Sequence, residues 1–300
     1  MNNDRHASFA ALLVGAAFLA ALPLGCGPAP APATDGSDAS AKASSGSAAA
    51  SDASAQASTD SADASARSAG DSAASAPAAR KRYAAPEGTY GTCEPGEGGS
   101  GRTYMGREIA EVMGHFGVGW LERPEREREE RTDLLVGALR LRPADAVADI
   151  GAGSGYFTMR IAPLVPEGVV YATDIQQEML DIVSERALEE NALNVMPVMG
   201  EIDHCGLEPN SVDAVLFVDA YHEFSHPFEM MSSIVDALRP DGLVYLVEYR
   251  LEDPEVPIKA RHKMSAEQAT REMSAVGLEL VENIDALPQQ HILVFRRAGG

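Results

Sequence analysis

The chain has 300 residues, a formal net charge of −21 at pH 7 and three cysteines. Because phosphate binding needs a basic footprint, this acidic balance argues against a nucleic-acid partner. Three cysteines with no CxxC or Cys/His zinc spacing are too few for a disulfide scaffold. Ala, Ser, Gly, Asp and Pro dominate the chain up to about Pro86. The mixed apolar and charged sequence from Tyr104 onward is long enough to bury one sizeable core.

The first 26 residues are typical of an export signal. Arg5 precedes an apolar run over residues 7–24, and Cys26 follows Gly25. This end resembles the bacterial lipobox, which implies a lipidated Cys26 and a membrane-anchored lipoprotein of the cell envelope, its domain facing the periplasm or exterior. Pro23 stands where the lipobox usually has Leu. A single membrane-spanning anchor is the alternative, because about 18 apolar residues just span a bilayer.

Residues 27–100 are predicted to be a disordered Ala/Ser-rich linker. Up to residue 79 the segment has almost no aliphatic or aromatic side chain beyond Ala. It cannot bury enough apolar surface to offset the entropy lost on ordering. The folded domain is therefore expected at residues 101–300.

Segments typical of helices alternate with segments typical of strands from about Gly106 onward. Helices are predicted at residues 107–113, 125–141, 156–164, 177–191, 227–238 and 265–276, and strands at 146–150, 169–173, 195–199, 214–218, 243–249, 278–283 and 292–296. This alternation predicts an α/β fold, a doubly wound seven-stranded sheet with helices on both faces. The last two strands lack a helix between them and are expected to form a C-terminal antiparallel hairpin at one edge. The alternating charges of residues 123–131 predict a solvated helix with local ion pairs.

A glycine-rich turn follows the first predicted strand of this sheet. Glycine is needed where a ligand touches the backbone directly, because any side chain would occupy that space. A dinucleotide fingerprint would need a glycine where Tyr156 stands, which argues against a nicotinamide-dependent oxidoreductase. The residues of the turn are Asp149, Gly151, Ala152, Gly153 and Gly155.

Acidic residues follow the next two predicted strands. Asp174 ends the second strand about twenty residues after the glycine turn, where a carboxylate can accept hydrogen bonds from both ribose hydroxyls of a nucleoside. Glu201 and Asp203 come after the third strand. The run 210–216 leads into the fourth strand, and the turn 238–242 precedes the fifth.

These motifs, in this order over residues 134–297, resemble the class I S-adenosylmethionine-dependent methyltransferases, of the type 11 kind. The resemblance implies a Rossmann-like fold, S-adenosyl-L-methionine as cofactor and methyl transfer to a small-molecule acceptor. It implies that the glycine turn wraps the methionine part of the cofactor, and that Glu201, or Asp203 in its place, lies near the adenine amino group. The cofactor-binding residues so implied are Asp149, Gly151, Ala152, Gly153, Gly155, Asp174, Ile175, Glu201, Asp203 and Asp219.

The residues after the fourth strand are expected beside the cofactor's methyl group, because ligands of this fold bind outside the carboxyl ends of the strands. His222 or Glu223 would take a proton from the acceptor, and Tyr221 would donate a hydrogen bond to it. The alternative is that this segment only ends the strand and packs. No metal site is predicted, because the histidines have no close metal-ligand spacing.

Two further alternatives concern the segment before the sheet and the activity itself. Residues 101–132 are expected to be a helical extension, either a lid over the acceptor pocket lined by Trp120 or a helix that merely packs on the sheet. The rival to an enzyme is a membrane-tethered, catalytically inactive binding or interaction module, since S-adenosylmethionine is made in the cytoplasm. An intact glycine turn together with Asp174 favours the enzyme.

Overall fold

The structure is a computed structural model and describes residues 80–299. The predicted signal peptide and most of the predicted linker lie outside the described residues. No helix between residues 80 and 299 combines the length and apolar character needed to cross a bilayer.

The described chain forms eleven strands and seven α-helices. The strands are β1 (Tyr90–Thr92), β2 (Gly99–Tyr104), β3 (Arg107–Ala110), β4 (Ala146–Ile150), β5 (Val169–Asp174), β6 (Val195–Met199), β7 (Val212–Val218), β8 (Leu238–Arg250), β9 (Lys263–Met264), β10 (Leu278–Ile284) and β11 (Gln290–Arg297). The helices are α1 (Val118–Leu121), α2 (Arg126–Glu130), α3 (Thr132–Ala138), α4 (Tyr156–Ile161), α5 (Gln177–Glu189), α6 (Pro227–Ala237) and α7 (Ala266–Ser274). Two 3₁₀ turns matter for the site, Tyr221–Glu223 and Ala260–His262.

The main sheet has the order β10-β11-β8-β7-β4-β5-β6, with the short β9 also paired to β8. The five strands from β8 to β6 are parallel, and β11 and β10 are antiparallel to their neighbours. The predicted α/β fold with a C-terminal antiparallel hairpin is therefore confirmed. Strand order reverses beside β4, and ligands of such sheets bind at that reversal.

Helices cover both faces of the sheet, and successive strand residues pack into opposite layers. Val247 lies in a core with Leu135, Phe157 and Val183 on one face. Its neighbour Leu246 lies in a second core on the other face, which α6 and α7 cover. Because the central strands are buried on both faces, β4 is apolar apart from Asp149 and buried throughout.

The predicted domain boundary at residue 101 and the predicted helix at residues 107–113 differ from the structure. Strands β1, β2 and β3 form a small antiparallel sheet, and residues from Arg80 onward contact the domain. Tyr104 of β2 is fully buried and Tyr90 donates to Glu229 of α6. Residues 80–100 are therefore part of the fold, stabilised by tertiary contacts that composition does not reveal.

The predicted helix at residues 125–141 is two helices, and its charged part is only partly solvated. Arg131 adopts a left-handed conformation with φ 55° and separates α2 from α3. The expected ion pair forms within α2 between Arg126 and Glu130, but both side chains are buried. Glu130 also accepts hydrogen bonds from Arg123 and from Tyr249 of β8. Arg126 and Glu130 therefore belong to an interior network, whereas Glu127 and Arg128 are exposed as predicted.

Candidate active site

A cavity lies at the carboxyl ends of β4, β5 and β7, where the strand order reverses. Its empty space is about 810 Å³ when the open solvent at its mouth is included. No Lys, Arg or His is among its lining residues between positions 80 and 299, whereas three carboxylates are. Its lining residues most relevant to chemistry are Gly151, Gly153, Asp174, Asp219, Glu223 and Met113.

The glycine turn after β4 forms the floor of this cavity. Gly151 and Gly153 have φ of 71° and 54°, a region that side chains disfavour. A Cβ on Gly151 would lie 2.8 Å from the Cβ of Ala220, and one on Gly153 would lie 2.8 Å from Leu121 Cδ1. The predicted need for glycine at these two positions is therefore met by the geometry. Gly155 shapes the start of α4 with φ 78°, and neither it nor Ala152 lines the cavity.

Asp174 stands at the tip of β5 and fixes the turn from the opposite side. Its Oδ2 accepts from Gly153 N and its Oδ1 from Gln176 N, both at 2.9 Å. Burial raises its pKa, and these two backbone donors act against that rise. Each oxygen keeps a second lone pair for a ligand. Ile175 lines the cavity next to Asp174.

Asp149 lies below the turn rather than in the cavity. Its carboxylate is buried, and Thr158 Oγ1 of α4 donates to its Oδ2 at 2.6 Å. Burial raises the pKa of Asp149 to about 6. Its contact holds α4 against β4, which is a supporting role instead of the predicted contact with the cofactor.

Glu201 and Asp203 form ion pairs with N-terminal arginines, whereas a position near the cofactor's adenine was predicted for one of them. Glu201 pairs with Arg80 and Arg82, and Asp203 pairs with Arg82. Between them, Ile202 lines the cavity. The structure thus places an apolar side chain where an acid was expected, and the two acids bind Arg80 and Arg82.

Asp219 directly follows β7 and carries a strained backbone with φ 51°. Its Oδ2 accepts from Gln290 Nε2 at 2.8 Å, while its buried Oδ1 has no hydrogen-bond partner among residues 80–299. Burial, followed by the nearby Glu130 and Glu248, holds its pKa well above the usual range. Such an orphaned acid next to a cavity would be satisfied by a cationic or hydrogen-bond-donating ligand group.

The Tyr221–Glu223 turn divides between core and cavity. Tyr221 is fully buried among Phe217 and Phe224, and its hydroxyl has no partner among the described residues. The structure therefore gives no support to its predicted contact with an acceptor. Glu223 lines the cavity, and its Oε2 accepts from Met113 N at 3.0 Å. Burial raises the pKa of Glu223.

His222 lies behind Glu223 and makes two contacts with the carboxylate of Glu248 in β8. Its backbone N donates to Glu248 Oε1 at 3.1 Å, and its Nδ1 lies 2.7 Å from Glu248 Oε2. Burial lowers the pKa of His222, but Glu248 outweighs it and the net direction is upward. His262 joins the group, with its Nδ1 3.0 Å from His222 Nε2. Sequence reasoning missed this cluster because forty positions separate the two histidines.

The segment before α2 forms part of the cavity wall, and its role as a lid stays a prediction. Val112, Met113 and Leu121 line the cavity, and Gln176 holds the segment through Met113 O and His115 N. Trp120 does not line it; this side chain is half exposed and stacks on Arg123.

Comparison with known proteins supports a function for this site. Residues 147–242, which contain the glycine turn and Asp174, match a family model described as "Methyltransferase domain". This part of the chain is therefore similar to methyltransferase domains. An uncharacterized methyltransferase-like protein of Schizosaccharomyces pombe is 32% identical over 126 residues, covering 42% of this chain and 46% of that protein.

Other relatives extend the same likeness to the methyltransferase domain. A ubiquinone/menaquinone biosynthesis C-methyltransferase of Ectopseudomonas mendocina is 29% identical, covering 36% of this chain and 43% of that protein. The chain thus spans about half the length of these curated relatives. A SAM-dependent methyltransferase from Aquifex aeolicus has the same fold, with a TM-score of 0.58 and 18% identity over 61% of this chain and 98% of that one.

S-adenosylmethionine, the cofactor predicted from the sequence, fits the residues that line the cavity. S-adenosylmethionine carries a cationic sulfonium and an ammonium group, and the cavity offers acids with no basic side chain in its lining. Gly151 and Gly153 line the cavity without side chains, and the buried Asp219 Oδ1 has no hydrogen-bond partner among residues 80–299.

Proposed function

We propose that the domain binds S-adenosylmethionine in this cavity and transfers its methyl group to a small-molecule acceptor. The observation that carries the proposal is the acidic cavity between the glycine turn and Asp174, at the reversal of strand order. When bound, the cofactor supplies an electrophilic methyl group on a positively charged sulfur.

The residues of the chain have separate tasks in this reaction. Asp174 accepts hydrogen bonds from the ribose hydroxyls, and Asp219 receives a donor from the methionine part. Met113 and Leu121 of the segment before α2 contribute apolar side chains to the cavity lining. Much of the rate in such a transfer comes from holding the acceptor atom in line with the methyl group.

Glu223 is the group placed to handle the acceptor's proton. It is the titratable side chain of the Tyr221–Glu223 turn that reaches the cavity, and Met113 N fixes one of its oxygens. A raised pKa brings a carboxylate closer to the range in which a general base works efficiently. His222 acts from behind as a positioning residue, held by Glu248.

The test is methyl transfer from labelled S-adenosylmethionine to a panel of small phenols, carboxylic acids and quinone-biosynthesis intermediates, the last suggested by the relatives' names. We expect S-adenosylhomocysteine to form with at least one acceptor, and Glu223→Gln to lower kcat by about 10²-fold or more. Glu185→Gln, an exposed acid on α5, is the control and should keep full activity. If the chain bound the cofactor but transferred no methyl group to any acceptor of the panel, an inactive binding module would be favoured instead.

Membrane attachment is a second part of the proposal and rests on residues 1–26 alone. The apolar run ending at Cys26 supports export and anchoring as a lipoprotein of the cell envelope. A tether of this kind would hold the enzyme at a membrane surface, with its cavity open to small acceptors.

A further inference from the structure

A cluster beside the cofactor cavity has the composition of a metal site. His222 Nε2, His262 Nδ1 and Glu223 Oε1 face one another from the two 3₁₀ turns, Tyr221–Glu223 and Ala260–His262. The two nitrogens are 3.0 Å apart, and each lies 3.8 Å from the carboxylate oxygen. Imidazole nitrogen and carboxylate oxygen are the usual ligands of catalytic zinc.

The spacing of these three atoms matches a first-row transition metal. A point equidistant from all three, in their common plane, lies about 2.1 Å from each, which is the Zn–N and Zn–O bond length. The separations therefore need no rearrangement of the backbone to accept an ion. A direct hydrogen bond between the histidines accounts for the 3.0 Å distance, but it does not account for the placement of Glu223 Oε1 at equal distance from both.

The surroundings hold each of the two buried ligands by its other end. Glu248, fully buried, takes His222 at Nδ1, which leaves Nε2 free to ligate. Carboxylate–histidine–metal arrangements of this kind orient the ring and raise its basicity. Glu223 is fixed in the same way, since Met113 N holds its Oε2 and leaves Oε1 toward the histidines.

Charge points in the same direction. Glu248 and Glu223 are both carboxylates in a largely buried cluster. The nearby guanidinium of Arg107 is engaged by Glu272 and by the carbonyl of His222. Apart from the two imidazoles, a divalent cation would be the positive charge that neutralises these two carboxylates.

We propose that His222, Glu223 and His262 bind a divalent transition-metal ion of the zinc class, with Glu248 as the carboxylate that orients His222. Three protein ligands leave a fourth position open, as in catalytic rather than structural zinc sites. An acceptor hydroxyl bound there would have its pKa lowered by the ion and would release its proton to water, so that Glu223 would act as a metal ligand instead of a general base. This last step rests on the proposed methyl transfer, whereas ion binding itself does not.

The test is metal uptake by the full chain, prepared without a histidine tag, stripped with a chelator and titrated with Zn²⁺ and Co²⁺. We expect one ion per chain and, for Co²⁺, the visible absorption of a four-coordinate site. His262→Ala and Glu223→Gln should each weaken Zn²⁺ affinity at least about 10-fold, and Glu248→Gln about 10-fold through the ring it orients. His115→Ala is the control, because its ring contacts only Phe116 among the described aromatic side chains.

The readout does not depend on methyl transfer, so the two proposals fail separately. Circular dichroism and thermal melting of each variant show whether it is folded, and His262, partly exposed, is the substitution least disturbing to the core. No stoichiometric Zn²⁺ or Co²⁺ uptake by the folded chain would overturn the site. So would uptake that His262→Ala and His115→Ala leave equally strong.

Discussion

Asp149 makes the stability of the domain depend on pH. Its pKa in the fold is about 6, above the value of about 3.9 in an unfolded chain, because burial disfavours the charged form. The stabilising contribution of the protonated acid is present in full below pH 4 and is lost as the pH rises through 6. The shift corresponds to up to about 3 kcal/mol.

Asp149→Asn should remove this dependence while keeping an acceptor for Thr158 Oγ1. The variant's free energy of unfolding, relative to the native chain, is expected to increase by up to about 3 kcal/mol between pH 4 and pH 7. Urea unfolding at a series of pH values measures this difference. A difference that stays constant over that range would show that the carboxylate is not held as described.

The contrast between Asp149 and Asp174 shows what sequence reasoning resolves at a single residue. Both were predicted to bind the cofactor, since each ends or nearly ends a strand beside the glycine turn. One lines the cavity and the other supports α4 from below. Asp149 pairs with Ala172 of β5, whereas Asp174 lies two residues further on at the tip of that strand, so depth below the sheet edge separates the two roles.

Helix α2 carries a buried network of charged side chains, and substitutions in this helix test how much that network stabilises the domain. Glu130 is buried and accepts from Arg123, Arg126 and Tyr249. Removing one partner leaves uncompensated buried charge, which typically costs 3–5 kcal/mol. We therefore expect Glu130→Ala to lower the free energy of unfolding by about that amount.

Glu127 of the same helix offers the matched control, because its side chain is exposed. Glu127→Ala should change the free energy of unfolding by less than about 0.5 kcal/mol. Chemical denaturation followed by circular dichroism compares the two variants. Equal losses of stability in Glu130→Ala and Glu127→Ala would mean that the Glu130 carboxylate is solvated and not part of a buried network.

Elements differ in how well the sequence specifies them. Strand β4 and the glycine turn were predicted because an apolar run and glycine spacing are local signals. The strand at Arg107–Ala110 was taken for a helix, and the break at Arg131 was missed. Those outcomes depend on contacts with distant parts of the chain, such as Arg107 with Glu272 and Glu130 with Tyr249. The His222–His262 cluster was missed for the same reason, since it forms only when two turns meet.

The N-terminal sheet and the main sheet are expected to unfold together. Tyr104 of β2 is fully buried, and Tyr90 of β1 binds Glu229 of α6. Tyr104→Ala should lower the stability of the whole domain by about 3–5 kcal/mol in a single transition. Tyr104→Phe is the control, since the hydroxyl has no partner among the described residues and its removal should cost little.

Calorimetry and denaturation of the Tyr104 variants distinguish a single cooperative unit from two independent parts. If Tyr104→Ala lost a small unfolding transition at low temperature or denaturant and kept the main transition unchanged, strands β1–β3 would fold separately from the main sheet. Cooperative unfolding would explain why a segment with little local signal is nevertheless ordered against the main sheet.

At the scale of the whole molecule, we expect the cavity to bind S-adenosylmethionine through Asp174. The most direct test is calorimetric titration of the chain with S-adenosylmethionine and S-adenosylhomocysteine, repeated with Asp174→Asn and with Asp181→Asn, an exposed acid on α5. We predict one site per chain with micromolar affinity, weakened at least about 10-fold in Asp174→Asn and unchanged in Asp181→Asn. No binding by a folded chain, or equal binding by both variants, would contradict the account.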